Sequence, residues 1–182
     1  MDRALFLDRD GVINVDHGYV HRIDQLQFMD GIFDLCLLAQ ARGYLLIVVT
    51  NQAGIGRGLF TEDDFRVLTE WIKGQFADRH VAITDVLFCP DHPEHGLGVY
   101  RRQTPMRKPG PGMLLAAAET YNLNLSRSVL VGDKRTDVEA GAAAGVGYNV
   151  LLSSDPQPRQ EGPPDVIVME SLASVTSWLS KL

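Results

Sequence analysis

Asp8 and Asp10 stand two residues apart, at the end of the apolar run Ala4-Leu5-Phe6-Leu7 and just before Gly11-Val12-Ile13. Such a run reads as a buried parallel strand that delivers charged side chains at its C-terminal edge. In open α/β sheets that edge is where ligands bind. Two carboxylates this close repel each other unless a cation or a shared proton compensates, and carboxylate oxygens suit Mg²⁺. The plain alternative is a strand end with two solvated acids. The Leu/Phe run before the pair and the Gly-Val-Ile after it weigh against that.

Three further stretches fall at predicted strand ends. Thr50-Asn51-Gln52-Ala53-Gly54-Ile55-Gly56-Arg57-Gly58 begins where a second apolar run stops. A hydroxyl at a strand terminus followed by amides and glycines can donate several hydrogen bonds to one phosphoryl group, although the same composition also makes an ordinary turn. Met106-Arg107-Lys108-Pro109-Gly110-Pro111 presents two cations from a segment stiffened by prolines. Fixed cations suit a phosphorylated substrate, whereas an isolated Arg-Lys pair is often only a solvated turn. Val129-Leu130-Val131-Gly132-Asp133 is another apolar run ending in Gly and Asp, so Asp133 can reach the metal proposed for Asp8. Alternatively Asp133 caps the next helix, and Asp137 is a solvated acid one turn on. The joint pattern favours function: these strand ends come in sequence along one sheet.

The elements that must position these groups alternate along the chain. Residues 45–50, 85–88, 128–132 and 149–152 read as buried strands, with 166–168 a weaker sixth. Helices are predicted over about 31–42, 62–79, 110–121, 135–144 and 171–181. Thr61 before Glu62-Asp63-Asp64 is a helix-start signal, and Gly43 after Arg42 a stop. Strands alternating with helices imply an α/β fold with a mostly parallel sheet and right-handed crossovers. The Pro-, Gln- and Ser-rich segment 153–164 reads as an exposed loop.

A chain of 182 residues is expected to form one domain spanning 1–182. With 45% hydrophobic and 22% charged residues it has an ordinary globular composition. A net charge of −6 argues against a general nucleic-acid binder. No apolar stretch approaches the roughly 20 residues that span a bilayer, and no signal-peptide pattern opens the chain, so a cytoplasmic monomer without membrane partners is expected. Cys36 and Cys89 are too few for a disulfide framework.

Taken in order, D-R-D-G-V-I-N, T-N-Q, R-K-P and G-D-K-x-x-D resemble the four motifs of haloacid-dehalogenase superfamily phosphatases. Within that superfamily, Asn14 to His21 and Thr50 to Ile55 resemble the D-glycero-D-manno-heptose 1,7-bisphosphate phosphatases, with histidinol-phosphate phosphatases a neighbouring family. The resemblance implies a Rossmann-like haloacid-dehalogenase fold without a large cap domain. It implies that Asp8 attacks phosphorus, that Asp10 is the general acid and base, and that Thr50 and Lys108 hold the phosphoryl group. Mg²⁺ is expected on Asp8, Asp133 and the backbone carbonyl of Asp10. Asp16, His17, Gly18, Tyr19, Asn51, Gln52 and Ala53 are expected to contact the sugar. Arg107 is expected to read the distal phosphate, and Lys134 lies beside the metal ligand. The implied reaction removes the 7-phosphate in the synthesis of nucleotide-activated heptose for lipopolysaccharide core.

Many members of that family hold a zinc ion on a C-x-H and a C-x-C before the R-K pair. Here Cys89 remains, but Asp91, Thr104 and Met106 stand at the other three positions, so no zinc is expected. Two readings from other classes share the strand-end residues: a phospho-accepting receiver domain and a sugar-phosphate binding module without catalysis. Asp10 discriminates against the receiver, which needs no acid and base beside its phosphorylated aspartate.

Overall fold

The structure, a computed structural model, describes residues 1–154 and 165–182. Most of the loop expected over 153–164 therefore lies outside the described residues. Strands β1 (Arg3–Leu7), β2 (Tyr44–Asn51), β3 (Ile83–Cys89), β4 (Val129–Gly132), β5 (Tyr148–Leu152) and β6 (Val166–Met169) form one sheet. Its order is β3-β2-β1-β4-β5-β6 and every neighbouring pair is parallel. The α/β class and the strand positions expected from apolar runs are those observed, with bounds shifted by a residue or two.

Helices α1 (Ile32–Ala41), α2 (Ala53–Gly56), α3 (Glu62–Ala77), α4 (Gly112–Tyr121), α5 (Arg135–Ala144) and α6 (Leu172–Leu179) cover the sheet. In β1, Leu5 and Leu7 face one cluster with residues from α1, α3 and α6. Ala4 and Phe6 face the other, with Met113, Leu114 and Ala117 of α4 and Val138 and Ala140 of α5. Burial on both faces explains why β1 is continuously apolar instead of alternating. The α3 start expected at Thr61 is a reciprocal cap: Asp64 N donates to Thr61 Oγ1 at 3.0 Å and Thr61 N to Asp64 Oδ2 at 2.8 Å. Gly43 takes φ +78 after α1, as its helix-stop reading requires.

The short α2 was not anticipated: Ala53 to Gly58 read as a turn rich in phosphate donors. Its glycines answer to packing instead. A Cβ on Gly54 would overlap Phe60 and Tyr19, and one on Gly56 would overlap the Pro90 carbonyl. From β1 the chain winds outward through β2 and β3, and from β4 it winds the other way through β5 and β6. The switch point lies between β1 and β4, and the crevice there is where such sheets bind ligands.

Candidate active site

Asp8 follows β1 and Asp133 follows β4, on either side of the switch point. Asp8 N donates to Val131 O at 3.0 Å, which keeps the two strand ends in step. Gly11 makes their approach possible: it has φ +91, and any Cβ there would overlap the Asp133 carboxylate. Oxygens of Asp8, Asp133 and Asp137 lie within 4.8 Å of one another.

Asp137 belongs to the buried centre and is not a surface acid. Read as a solvated acid, it is 2% exposed and sits in the centre. Its Oδ1 lies 2.7 Å from Lys108 Nζ, and its Oδ2 accepts from Lys134 N at 2.9 Å. The residue at the N-cap of α5 is Lys134, not Asp133, and Asp137 at the third helical position closes the first turn. Gly132 accommodates it, since a Cβ there would strike the Asp137 side chain.

Lys108 is 3% exposed and its ammonium is fully engaged, 2.9 Å from Asp8 Oδ1, 2.7 Å from Asp137 Oδ1 and 2.8 Å from Val49 O. Burial disfavours the ammonium, but the Asp8 and Asp137 carboxylates outweigh it and raise the Lys108 pKa. Burial raises the Asp8 pKa, helped by Asp137 and opposed by Lys108. Burial likewise pushes Asp133 up to about 7, aided by Asp8 and Asp137 against Lys134. Asp133 Oδ1 is buried without a hydrogen-bond partner. A cluster of hard oxygen donors that repel one another, one of them orphaned, fits Mg²⁺. Both oxygens of Asp137 are already engaged, so Asp8 and Asp133 are the carboxylates open to a metal.

Asp10 turns away from this cluster. Its oxygens accept from Asn14 Nδ2 at 3.0 Å, from Gln52 Nε2 at 3.0 Å and from the Arg9 guanidinium at 2.8 Å. Thr50 is 1% exposed, and its hydroxyl oxygen accepts from the same Gln52 Nε2 at 2.9 Å, which leaves its proton to donate. Gln52 thus couples Thr50 to Asp10. Asn51, expected at the sugar, instead clamps the backbone of Lys108: Nδ2 donates to Lys108 O and Oδ1 accepts from Lys108 N, both at 3.0 Å.

On the rim, Asp16, His17, Gly18 and Tyr19 are exposed, and Ala53 opens α2 half-buried. Asp16 Oδ2 lies 3.0 Å from Lys134 Nζ, which is itself 3.9 Å from Asp133. Burial works against the Asp16 carboxylate, yet hydrogen bonds from Lys134 and Gly18 lower its pKa. Tyr19 has φ +51, and Arg57 donates to its hydroxyl. Arg107 is half-buried, donates to Asp91 O at 3.2 Å, and borders with Lys108 and Gln103 a cavity of about 480 Å³.

The loop after β3 is organised around Asp91, which is 2% exposed. Asp91 Oδ2 accepts from Arg102 Nε at 2.9 Å. His92 Nδ1 accepts from Glu94 N and His95 N at 3.2 and 3.1 Å, so this nitrogen closes a turn. Thr104 Oγ1 accepts from Met106 N at 3.2 Å. Leu97 N donates to Gly56 O at 2.7 Å, tying the loop to α2. Cys89 is buried and free, and burial raises its thiol pKa.

A family model described as HAD-hydrolase-like matches residues 105–174. The chain is a hydrolase of the haloacid-dehalogenase class, in the group of phosphoric monoester hydrolases. A D-glycero-alpha-D-manno-heptose-1,7-bisphosphate 7-phosphatase of Burkholderia mallei is 58% identical over 151 residues, 83% of this chain and 80% of that one. A D-glycero-beta-D-manno-heptose-1,7-bisphosphate 7-phosphatase of Vibrio cholerae is 44% identical over 180 residues, 98% of this chain and 97% of that one. The chain belongs to the heptose-1,7-bisphosphate 7-phosphatase family. Among solved structures, a D,D-heptose 1,7-bisphosphate phosphatase from B. bronchiseptica, complexed with magnesium and phosphate, superposes with a TM-score of 0.86 at 27% identity, covering 98% of each chain.

Proposed function

We propose that this chain hydrolyses the 7-phosphate of a D-glycero-D-manno-heptose 1,7-bisphosphate through an aspartyl-phosphate on Asp8. The observation that carries it is the convergence of Asp8, Lys108 and Asp133 at the switch point, in a chain whose relatives bear that activity in their names. An Asp8 oxygen attacks phosphorus, and the bond from phosphorus to the sugar oxygen breaks. Asp10 gives that oxygen its proton. Water then attacks the phosphoryl group, Asp10 takes a proton from it, and inorganic phosphate leaves with Asp8 restored. Lys108 and Thr50 hold the transferring group, and Asn51 and Asp137 hold Lys108.

Mg²⁺ belongs on Asp8 and Asp133, where it supplies positive charge to the phosphoryl oxygens and the nucleophile. Arg107 reads the 1-phosphate, a role supported by the cavity it borders with Lys108 and by the fit of a guanidinium fork to phosphate. The 1-phosphate product then serves nucleotide activation for lipopolysaccharide core. Our reading is of a single-domain cytoplasmic monomer that acts on a small sugar phosphate; no described helix is long and apolar enough to cross a membrane.

The test is phosphate release from both anomers of the heptose bisphosphate and from histidinol phosphate, with and without Mg²⁺. A higher kcat/KM for a heptose bisphosphate is expected. A higher value for histidinol phosphate sinks the substrate assignment, and phosphate release that stops at one equivalent or never begins sinks the enzyme reading. Because the named relatives differ in anomer, the two heptose arms also establish which anomer this chain prefers.

A further inference from the structure

We propose that Arg9 is a positioning residue for this reaction: its buried guanidinium fixes the Asp10 carboxylate for proton transfer and ties it to the substrate-facing segment at Val20. The proposal rests on the reading of Asp10 as acid and base. Arg9 is 2% exposed. Its Nη2 lies 2.9 and 2.8 Å from the two Asp10 oxygens, and its Nε lies 3.2 Å from each. The same Nη2 donates to Val20 O at 2.6 Å. Val20 closes the segment of Asp16 to Tyr19 and is itself 1% exposed, so one guanidinium sets the acid relative to the sugar-facing loop.

Stability alone gives no reason for an arginine here. An apolar side chain of similar volume in place of a buried ion pair is often neutral or stabilising. Arg9 Nη1 is buried with no hydrogen-bond partner, a further desolvation cost. The remaining surroundings are mostly apolar: the Phe65 ring lies 5.7 Å from the guanidinium carbon, and the small cavity that Arg9 borders is lined by Ile13, Val48, Ile72, Ile83 and Val86, with Thr69 and Lys73. Among the described residues, Asp10 is the acidic side chain that Arg9 pairs with. An expensive cation aimed at one carboxylate is accounted for by what that carboxylate does. After Asp10 gives its proton to the leaving oxygen, its new negative charge forms against a cation already in place, and the carboxylate stays aimed for the water that follows.

The test compares Arg9→Met, Arg9→Lys and Asp10→Asn on heptose bisphosphate and on p-nitrophenyl phosphate, whose leaving group needs no proton. Arg9→Met is expected to lower kcat/KM, which reads the transfer to Asp8 and not the hydrolysis both esters share, by about 100-fold on the heptose ester and by less than about 10-fold on the aryl ester, the pattern expected of Asp10→Asn. Arg9→Lys, which keeps the charge and loses the fork, should recover about 10-fold of the heptose activity relative to Arg9→Met. Equal losses on both esters for Arg9→Met, while Asp10→Asn still discriminates, overturn the role of Arg9 and leave that of Asp10. An Asp10→Asn protein that does not discriminate overturns both. If Arg9→Met does not fold, Arg9→Lys carries the comparison: a larger loss on the heptose ester supports the role, and equal losses reject it.

Discussion

Asp137 Oδ1 lies 2.7 Å from Lys108 Nζ, closer than the 2.9 Å that separates the same ammonium from Asp8. Lys108 is thus held from behind by a carboxylate that faces no solvent. Without Asp137 the ammonium would keep Asp8 as its one carboxylate partner, beside Val49 O, tying down the oxygen that is to attack phosphorus. Asp137→Ala removes a buried partner of Lys108 and the acceptor of Lys134 N, and should destabilise the protein by about 3 kcal/mol. Asp137→Asn should lose less stability but still lower kcat. Denaturant unfolding and initial rates check the two; an Asp137→Ala protein of wild-type stability contradicts the geometry.

Asp8→Asn should abolish phosphate release by on the order of 10⁴-fold or more, because an amide is a poor nucleophile. Its melting temperature should hold or rise, since burial already opposes the Asp8 charge. Near-wild-type turnover by this folded variant would remove Asp8 from the mechanism.

Mg²⁺ should stabilise the protein more at pH 8 than at pH 5. In the metal-free protein Asp133 sits at about 7, above the usual 3.8 of an aspartate. A carboxyl whose folded pKa is raised adds stability that is full below the unfolded value and is lost as pH rises through the folded one. The stability that Asp133 contributes to the metal-free protein is therefore lost between about pH 4 and pH 7. Mg²⁺ binds the ionised form, so its stabilisation grows over the same window. Melting curves with Mg²⁺ and with a chelator, across that range, read the difference. A constant Mg²⁺ increment goes against it.

Purified protein should hold far less than one equivalent of zinc, and a chelator that spares Mg²⁺ should leave its melting temperature unchanged. Asp91→Ala, by contrast, should lower it, because the loop after β3 loses the buried acceptor of Arg102. Stoichiometric zinc, with destabilisation on chelation, would place a metal where Asp91 is argued to act.

Arg107→Ala should cost much more kcat/KM on the heptose bisphosphate than on a simple monophosphate ester. Only the former loses a charge-assisted contact to a second phosphate, worth about 1.5–3 kcal/mol. Equal losses on both would assign Arg107 to the loop alone, through its bond to Asp91 O.

The sheet was legible because its central strands β1, β2 and β4 are buried on both faces, which writes each as an apolar run bounded by turn residues. Thr61 with its acidic first turn, and Gly43, marked helix ends through local backbone chemistry that acts within a few residues. The motifs at the ends of β1, β2 and β4 could be found for the same reason: a parallel sheet brings its strand ends to one edge. Chain position thus brought Asp8, Thr50 and Asp133 to one edge, whereas Lys108, well past the end of β3, was joined to them by the resemblance.

What tertiary structure decided are the partners, because these lie far apart in sequence and depend on which way each side chain turns. Asn51 and Lys108 are 57 residues apart, and nothing local to either showed that the amide would clamp the lysine backbone. Asp137 sits one turn into a helix, where periodicity allows either a solvated or a buried acid; the first turn of α5 points into the crevice, and that alone buries it. Arg9, lying between two aspartates at a strand end, gave no sign that it would fold back under Asp10. In the loop after β3, the sequence determined only which zinc ligands are missing. That a buried Asp91 paired with an exposed Arg102 holds the segment is decided by the fold, where a charge removed from water must find its opposite.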